Sequence, residues 1–314
     1  MTTKSIEKTR RHLTTLADCS AEEIHDWFKL ARKLKKEQQA GKPHRLLEGK
    51  TLGMIFEKKS TRTRVSFEVG MHQLGGHALY LSASDLQLGR GETVADTAKV
   101  FSRYVDGIMA RVYKHTDIEI LAKNATIPII NGLSDYSHPC QGLADYLTLL
   151  EHKGTLEGLK LAYVGDGNNV THSLLLGGAK LGVSVSCVCP KGYEPSAKVL
   201  ELAKKDAAKT GARIEVTDDL DGVRGADAVY TDVWTSMGQE TEHAERVQTF
   251  KPFQVNASLM RRTGKADAIF MHCLPAHRGE EVTDEVVDSP NSVVFDEAEN
   301  RLHAQKAVLV TLLA

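Results

Sequence analysis

The sequence predicts an α/β protein of two domains, each a parallel sheet flanked by helices, with long helices joining them. Short apolar segments alternate with helical ones along both halves of the chain, which is typical of parallel sheets. The chain has 314 residues, and at roughly 150 residues per domain this length favours about two domains. A long predicted helix ends at Lys153 and Gly154, which places the boundary between residues 1–150 and 151–296.

The first half opens with a well-marked helix. Ser20 and Glu23 match a capping box, and apolar residues follow them at helical spacing. Short apolar strands are predicted at residues 52–56, 105–110 and 127–130. Helices are predicted from residue 61 onward, at 117–123 and at 141–152.

The alternation is clearer in the second half. Strands are predicted at residues 161–165, 183–189, 214–216, 228–233 and 268–273. Helices are predicted at residues 169–181 and 196–209. The last segment, from residue 297 to 313, has the spacing of one amphipathic helix.

Charge and composition exclude several classes of protein. Forty basic residues against 41 acidic ones give a net charge of −1, so no overall positive field attracts nucleic acid or an anionic membrane. No segment approaches the ~18 consecutive apolar residues of a membrane span. The N-terminus lacks the apolar region of a secretory signal, and five cysteines make a poor disulfide framework. Reduced thiols in a cytoplasmic protein are the simpler interpretation.

The most informative segment lies where the first strand ends and a helix begins. Ser60, Thr61 and Thr63 place three hydroxyl groups in the first turn, and Arg62 adds a guanidinium. The N–H groups and positive dipole end of a helix N-terminus bind phosphate, and hydroxyl and guanidinium donors suit phosphate oxygens. The sequence therefore predicts an anion site. No Gly-x-x-x-x-Gly-Lys precedes the helix, so the segment is not an ATP-binding P-loop.

Two other segments carry histidines. His138 and Gln141 lie at the start of a predicted helix and can present an imidazole and an amide to one ligand, although a helix-capping histidine is the default. His272, Cys273 and His277 follow the last predicted strand, and open α/β sheets bind ligands at such strand ends. A zinc site is the alternative there. Adjacent ligands converge poorly on one metal and no fourth ligand is spaced nearby, so we expect no metal.

Two further strand ends are compatible with different ligands. Asp232 precedes a short flexible loop, where its carboxylate suits an ammonium group, although a solvated aspartate fits equally well. Gly165 and Gly167 match the start of the Gly-x-Gly-x-x-Gly dinucleotide fingerprint. Position 170 is valine, so the NAD fingerprint is incomplete.

Taken together, these segments resemble the aspartate/ornithine carbamoyltransferase family. Residues 60–68, Ser-Thr-Arg-Thr-Arg-Val-Ser-Phe-Glu, are similar to its carbamoyl phosphate signature, and residues 138–141, His-Pro-Cys-Gln, fit both of its branches. Residues 232–238, Asp-Val-Trp-Thr-Ser-Met-Gly, and 272–275, His-Cys-Leu-Pro, resemble the ornithine branch. The resemblance covers nearly the whole chain.

The resemblance implies a direct carbamoyl transfer. The δ-amine of L-ornithine would attack carbamoyl phosphate to give L-citrulline and phosphate, in arginine biosynthesis or in arginine and ornithine catabolism. No metal, nucleotide or other cofactor is implied. The alternatives are a related enzyme that uses another amine (putrescine or an N-acylated ornithine), an NAD-dependent oxidoreductase and a non-catalytic sensor.

The resemblance also implies roles for single residues. Carbamoyl phosphate would be bound by Ser60, Thr61, Arg62, Thr63, Gln87, Arg111, His138, Gln141 and Arg301. Ornithine would be held by Asn169, Asp232, Ser236, Met237, Cys273 and Leu274. The catalytic groups would be Arg62, Arg111, His138 and Cys273.

The domains and the assembly follow from the same resemblance. Residues 1–150 would bind carbamoyl phosphate, with the helix 297–314 packing back on them, and residues 151–296 would bind ornithine. The family pattern implies a homotrimer in which Gln87 reaches the site of a neighbouring subunit.

Overall fold

The computed structural model describes residues 11–88, 91–236 and 240–314 of the chain. These residues form two parallel sheets flanked by helices, so the predicted α/β class is confirmed. None of the described helices has both the length and the apolar character that crossing a membrane requires.

The first sheet has four parallel strands in the order β2-β1-β3-β4. These strands are β1 (Thr51–Phe56), β2 (His77–Ser82), β3 (Gly107–Arg111) and β4 (Ile129–Leu133). The helices of this half are α1 (Ala21–Gln39), α2 (Thr61–Gln73), α3 (Val94–Phe101), α4 (His115–Asn124) and α5 (Pro139–Lys153). Ser20 and Glu23 form the predicted capping box at the start of α1.

The second sheet has five parallel strands in the order β7-β6-β5-β8-β9. These are β5 (Lys160–Val164), β6 (Ser184–Val188), β7 (Ile214–Thr217), β8 (Ala228–Thr231) and β9 (Ile269–His272). The helices of this half are α6 (Asn169–Leu181), α7 (Ala197–Thr210), α8 (His243–Phe250), α9 (Ala257–Arg262), α10 (Asp284–Val287) and α11 (Val294–Leu313).

The sequence patterns missed several elements. β2 is an edge strand in which His77 and Leu79 are exposed, so it has no continuous apolar run. The helices α3, α8, α9 and α10 have 8, 8, 6 and 4 residues, too few for a helical period to show. β4 runs on to Leu133 rather than ending at residue 130, because Leu133 pairs with Arg111 after an irregularity in the register.

The C-terminal helix α11 forms as predicted, but it is not amphipathic, because it is buried on more than one face. It packs against α1, α2 and α5, all from the first half, and buries polar residues as well as apolar ones. Glu297 and Lys306 are fully buried, and Arg301 is nearly so. α5 is also buried from Pro139 to Leu149 and packs against α11. The two helices contact both halves of the chain, α5 through β4 and α6, and α11 through α2 and β9.

The strand order determines where a ligand can bind. In each sheet the connections leave in opposite directions from two neighbouring strands, β1 and β3 in the first and β5 and β8 in the second. Loops diverge at such a point and leave a crevice at the carboxyl ends of the strands. The two crevices open onto one cleft.

Candidate active site

A cleft of about 770 Å³ lies where the carboxyl ends of the two sheets face each other. It brings together the predicted residues Ser60, Thr61, Arg62, Thr63, Arg111, His138, Gln141, Asn169, Asp232, Ser236, Cys273, Leu274 and Arg301. Gln87 is not among the lining residues and is exposed on the loop after β2. Met237 lies outside the described residues.

The N-terminus of α2 forms one wall of the cleft. Ser60 is its N-cap residue, and the Ser60 hydroxyl accepts the N–H of Thr63 at 3.3 Å. Thr61 and Arg62 occupy the first turn, where backbone N–H groups have no intrahelical acceptor. The helix therefore presents free N–H groups, hydroxyls and its positive dipole end to the cleft, which suits an anion.

Two further arginines from distant segments converge on this turn. Arg301 Nη2 donates to Thr63 Oγ1 at 3.2 Å, and Arg111 Nη1 lies 3.5 Å from the same oxygen. Burial, together with the charge of Arg301, lowers the pKa of Arg111 to about 10 and also lowers the pKa of Arg62. The three guanidinium groups stay charged at neutral pH. This wall therefore concentrates positive charge that a bound anion would balance.

His138 and Gln141 complete this wall from the start of α5. His138 is 5% exposed, and its Nδ1 has no hydrogen-bond partner among the described residues. Burial and the charges of Arg301 and Arg111 hold the pKa of His138 well below its ordinary value, so the ring is neutral at pH 7. A neutral imidazole can donate a hydrogen bond without carrying charge. Gln141 Oε1 accepts from Arg301 Nη1 at 2.6 Å.

The opposite wall is built around Asp232, which directly follows β8. Its Oδ2 accepts from Asn168 Nδ2 at 2.8 Å, and its Oδ1 accepts from Val233 N at 2.8 Å and from Cys273 Sγ at 3.0 Å. Burial and the Asp232 carboxylate raise the pKa of Cys273 well above its ordinary value. Cys273 is therefore a thiol donor at neutral pH and not a thiolate nucleophile. An acidic wall of this kind suits an ammonium group.

Three more predicted residues lie on this wall. Asn169 begins α6, and its Nδ2 donates to Ser134 O at 2.6 Å, which connects the wall to the loop after β4. Ser236 is the last residue described before position 240, and Leu274 has a φ of 57° at the end of β9. Polar groups from three strand ends thus surround Asp232.

The zinc alternative does not fit the arrangement of donor atoms. His272 Nδ1 accepts a backbone N–H at 2.8 Å, so Nε2 carries the ring proton and faces Glu281 Oε1 at 3.2 Å. Donor atoms of Asp232, His272 and Cys273 do lie within 4.8 Å of one another. The imidazole, however, has no free lone pair to offer, and the thiol is protonated. His277 belongs to a separate cluster.

The glycine-rich turn after β5 serves packing rather than nucleotide binding. Gly167 N donates to Tyr193 O at 2.8 Å, and a Cβ at Gly167 would collide with the backbone of Pro195. The Asn168 side chain caps α6 by accepting two of its first N–H groups. A dinucleotide fold leaves these N–H groups free for pyrophosphate. The turn therefore does not support the NAD alternative.

The cleft also contains residues to which the sequence analysis assigned no role: Lys58, Lys59, Tyr113, Asp135, Asp166, Asn168, Val233, Thr235 and Pro275. Asp166 forms an ion pair with Arg246, although burial raises the pKa of Asp166 to about 6. Arg246 Nε also donates to Trp234 O at 2.5 Å, so Arg246 joins the loops after β5 and β8. The position of Asp166 just after β5 could have identified it from the sequence as a cleft residue. Arg246 lies within α8, and no sequence pattern marks it as part of the site.

The two walls together define the class of protein. A cationic wall from the first sheet faces an acidic wall from the second across one cleft. Such a cleft suits an anion beside an ammonium compound, and its thiol is too weakly acidic to act as a nucleophile. These features are those of a transferase that aligns two substrates for direct reaction.

Comparisons with known proteins identify the family. The protein-family model described as "Aspartate/ornithine carbamoyltransferase, carbamoyl-P binding domain" matches residues 11–151. The model described as "Aspartate/ornithine carbamoyltransferase, Asp/Orn binding domain" matches residues 157–312. The chain belongs to the aspartate/ornithine carbamoyltransferase family, and the resemblance predicted from the sequence motifs is confirmed.

Individual relatives match over nearly the full length. The chain is 64% identical to the ornithine carbamoyltransferase of Pyrococcus abyssi over 304 residues, 96% of either protein. It is 63% identical over 304 residues, again 96% of either protein, to a Pyrococcus furiosus relative named "Ornithine carbamoyltransferase, anabolic". The solved structure of a Pyrococcus furiosus ornithine carbamoyltransferase superposes with a TM-score of 0.94 at 63% identity, covering 96% of this chain and 97% of that one.

Proposed function

We propose that this chain transfers the carbamoyl group of carbamoyl phosphate to the δ-amine of L-ornithine, yielding L-citrulline and phosphate. The observation that carries the proposal is the pairing of an arginine-rich helix terminus with the acidic Asp232–Cys273 wall across one cleft. The names of the Pyrococcus relatives support the same activity.

Carbamoyl phosphate occupies the cationic wall. Its phosphate oxygens accept hydrogen bonds from the first turn of α2, where Ser60, Thr61 and Thr63 supply hydroxyls. The backbone N–H groups of Thr61 and Arg62 face the same anion. Arg301, which already donates to Thr63, adds positive charge beside the phosphate. The carbamoyl carbonyl oxygen faces His138, whose neutral imidazole lines the cleft.

The transfer is a direct displacement at the carbamoyl carbon. The lone pair of the δ-amine forms the new C–N bond while the carbonyl π electrons move to oxygen. Arg62, Arg111 and the neutral His138 stabilise that oxygen as a preorganised set of donors. The electron pair then returns, the C–O bond to phosphate breaks, and the phosphate takes the electrons of that bond. The proton that the amine loses passes to the departing phosphate or to water.

Ornithine occupies the acidic wall. Asp232 binds the α-ammonium group, and Asn169 and Ser236, with Met237 by family pattern, hold the α-carboxylate. Cys273 and Leu274 then lie beside the side chain that carries the reacting amine. Much of the rate enhancement arises because the two substrates are held in reacting geometry between the two walls.

The first sheet supports a homotrimer with shared sites. β2 is an edge strand of the first sheet and pairs with β1 on one side. Val65 on α2 and Leu79 on β2 are apolar residues with 50% and 38% of their surface exposed. Gln87 follows this same edge and lies outside the cleft of its own chain. An apolar edge of this kind is a natural pairing surface. We infer that Gln87 completes the cleft of a neighbouring subunit.

The domain roles and the cellular setting extend the proposal. Residues 1–150 with the helix 297–314 form the carbamoyl phosphate domain, and residues 151–296 form the ornithine domain. The name of the Pyrococcus furiosus relative supports a role in arginine biosynthesis. The five cysteines are all free thiols, which supports a reducing cytoplasm.

Incubation with carbamoyl phosphate and candidate amines tests the proposal. Citrulline and phosphate should form in equal amounts with ornithine, whereas putrescine and N-acetylornithine should give little product. A preference for either of those amines would favour a related carbamoyltransferase. An absence of turnover with all three amines, although carbamoyl phosphate binds, would favour the sensor alternative.

A further inference from the structure

A pair of buried carboxyl groups lies behind the cationic wall. Asp145 is on α5 and Glu297 is on α11, and both side chains are fully buried. Gln141 Nε2 donates to Asp145 Oδ1 at 2.7 Å and to Glu297 Oε1 at 3.0 Å. The Tyr230 hydroxyl lies 3.1 Å from Glu297 Oε1 and 3.5 Å from Asp145 Oδ1. The two acidic oxygens therefore share the same two donors.

The pair has too few donors for two ionised carboxylates. Glu297 Oε2 accepts the backbone N–H of His272 at 3.0 Å. Asp145 Oδ2 has no hydrogen-bond partner in the described part of the chain. Two adjacent carboxylates shielded from water repel each other, and each lacks solvation. One of the two is therefore strongly disfavoured in its charged form.

Among the described residues, Arg301 is the cation whose charge lowers the pKa of Asp145. Arg301 Nη1 donates to Gln141 Oε1 at 2.6 Å, on the opposite side of the amide from the two carboxyl groups. Burial raises the pKa of Asp145 to about 7, and burial together with the neighbouring Asp145 raises the pKa of Glu297 well above its ordinary value. One guanidinium thus balances one carboxylate.

We propose that Asp145 and Glu297 share one proton at neutral pH and act together as a positioning pair for carbamoyl phosphate. The pair accepts from the NH₂ group of Gln141, so the amide can present only its oxygen to Arg301. Arg301 is thereby held with its second nitrogen on Thr63, in the first turn of α2. The identity of the anion rests on the proposed function, but the sharing of a proton does not.

The surroundings explain why the protonation state matters to the site. Tyr230 from β8 faces the pair, and so does Cys273 from the end of β9, whose pKa the two carboxyl groups help to raise. On the side of Gln141, the described residues place the guanidinium of Arg301. If the shared proton were lost, a second negative charge would stand behind a site that binds an anion, and carbamoyl phosphate would bind more weakly.

Asp145→Asn is the cleanest variant for a test. The amide keeps an oxygen at the position of Oδ1 for Gln141 and replaces the unpartnered Oδ2, while it fixes this residue as neutral. Infrared difference spectra should show one protonated carboxyl band in the parent at pH 7. That band should be absent from both Asp145→Asn and Glu297→Gln, because the remaining carboxyl group is then ionised.

Steady-state kinetics then separate positioning from simple support of the fold. Asp145→Asn should keep the KM for carbamoyl phosphate within about threefold of the parent, whereas Asp145→Leu should raise it about tenfold or more and change the KM for ornithine little. Tyr146→Phe is the matched control. It removes a buried hydroxyl from the next position of α5, one that donates to Leu174 O, and should leave both KM values and the infrared band unchanged.

Three outcomes would overturn the proposal. They are a parent spectrum without the carboxyl band, a band that survives in both single variants, and an Asp145→Asn enzyme as impaired as Asp145→Leu. If Asp145→Asn does not fold, the infrared spectra of the parent and of Glu297→Gln still test whether the two carboxyl groups share a proton. A protein that shows the band but makes no citrulline would contradict the proposed function and leave the shared proton standing.

Discussion

The thiol of Cys273 donates a hydrogen bond to Asp232 Oδ1 at 3.0 Å. The contact follows from strand register, because Thr231 of β8 pairs with His272 of β9 and the next residue of each strand leaves the sheet at the same edge. Since burial and the Asp232 carboxylate raise the pKa of the thiol, we expect Cys273 to orient Asp232 rather than to attack the substrate.

Substitution of Cys273 should therefore affect ornithine binding more than chemistry. We expect Cys273→Ala to raise the KM for ornithine about tenfold, since a hydrogen bond to a charged group contributes about 1.5 kcal/mol. Cys273→Ser should stay closer to the parent because a hydroxyl also donates to Asp232. Cys187→Ala, a buried thiol on β6, should lower stability without changing that KM. An unchanged KM in Cys273→Ala would contradict the assignment.

Arg62 should contribute mainly in the transition state. Arg62 lies in the first turn of α2, and in the proposed mechanism its guanidinium stabilises the carbonyl oxygen that gains charge. The loss of one such donor typically costs about 10²–10³ in rate. Arg62→Ala should therefore lose that factor in kcat while keeping its circular dichroism spectrum. Arg224→Ala removes an exposed arginine that pairs with Asp221 at 2.9 Å, and it should retain full activity. A turnover of Arg62→Ala near that of Arg224→Ala would refute the role.

The anion wall could be predicted because its signal is local. Ser60, Thr61, Arg62 and Thr63 are consecutive, and a helix N-terminus after a strand is legible from adjacent residues. The same holds for Asp232 and Cys273, which stand at strand ends. Parallel strands bring their carboxyl ends to one edge, so separate motifs could be expected to meet.

The network behind that wall could not be predicted, because its partners are far apart in the chain. Gln141 meets Glu297 across 156 positions and Arg301 across 160. Asp145 lies in an apolar stretch of α5, so the sequence indicates that its carboxyl group is buried. The sequence does not indicate which residues contact that group. The edge strand β2 could not be predicted either. None of its residues is fully buried, so its sequence lacks the run of apolar residues that marks a buried strand.

Shared sites predict that two impaired variants can complement each other when carbamoyl phosphate is limiting. Gln87→Ala should weaken carbamoyl phosphate binding, and Arg62→Ala should be nearly inactive. When the two variants are refolded together, mixed oligomers contain sites with an intact Arg62 from one subunit and an intact Gln87 from the next. Citrulline formation should therefore reappear, and each variant refolded alone is the control. Mixed oligomers no more active than those controls would mean that each subunit is self-contained.

Lys306 should make stability depend on pH. Its Nζ donates to Gln38 and Gln73, and burial lowers the pKa of Lys306 to about 8. An unfolded lysine titrates near 10.4, so between about pH 8 and 10 the unfolded chain binds the extra proton and the free energy of unfolding rises with pH. Relative to Lys306→Met, the parent should gain stability over that range in urea unfolding. Lys29→Met, an exposed lysine paired with Asp26, should show no such gain.

The ornithine reaction itself should depend on pH through the substrate. An alkylammonium titrates near 10.4, as for lysine, and only the neutral amine has a lone pair that can attack the carbamoyl carbon. The value of kcat/KM for ornithine should therefore climb from neutrality toward about pH 9. Asp232→Asn should lower ornithine affinity without flattening that climb, because Asp232 holds the α-ammonium. L-norvaline, which lacks the δ-amine, should compete without reacting. A rate that stays constant across this range, or a preference for aspartate over ornithine, would overturn the assignment of the amine substrate.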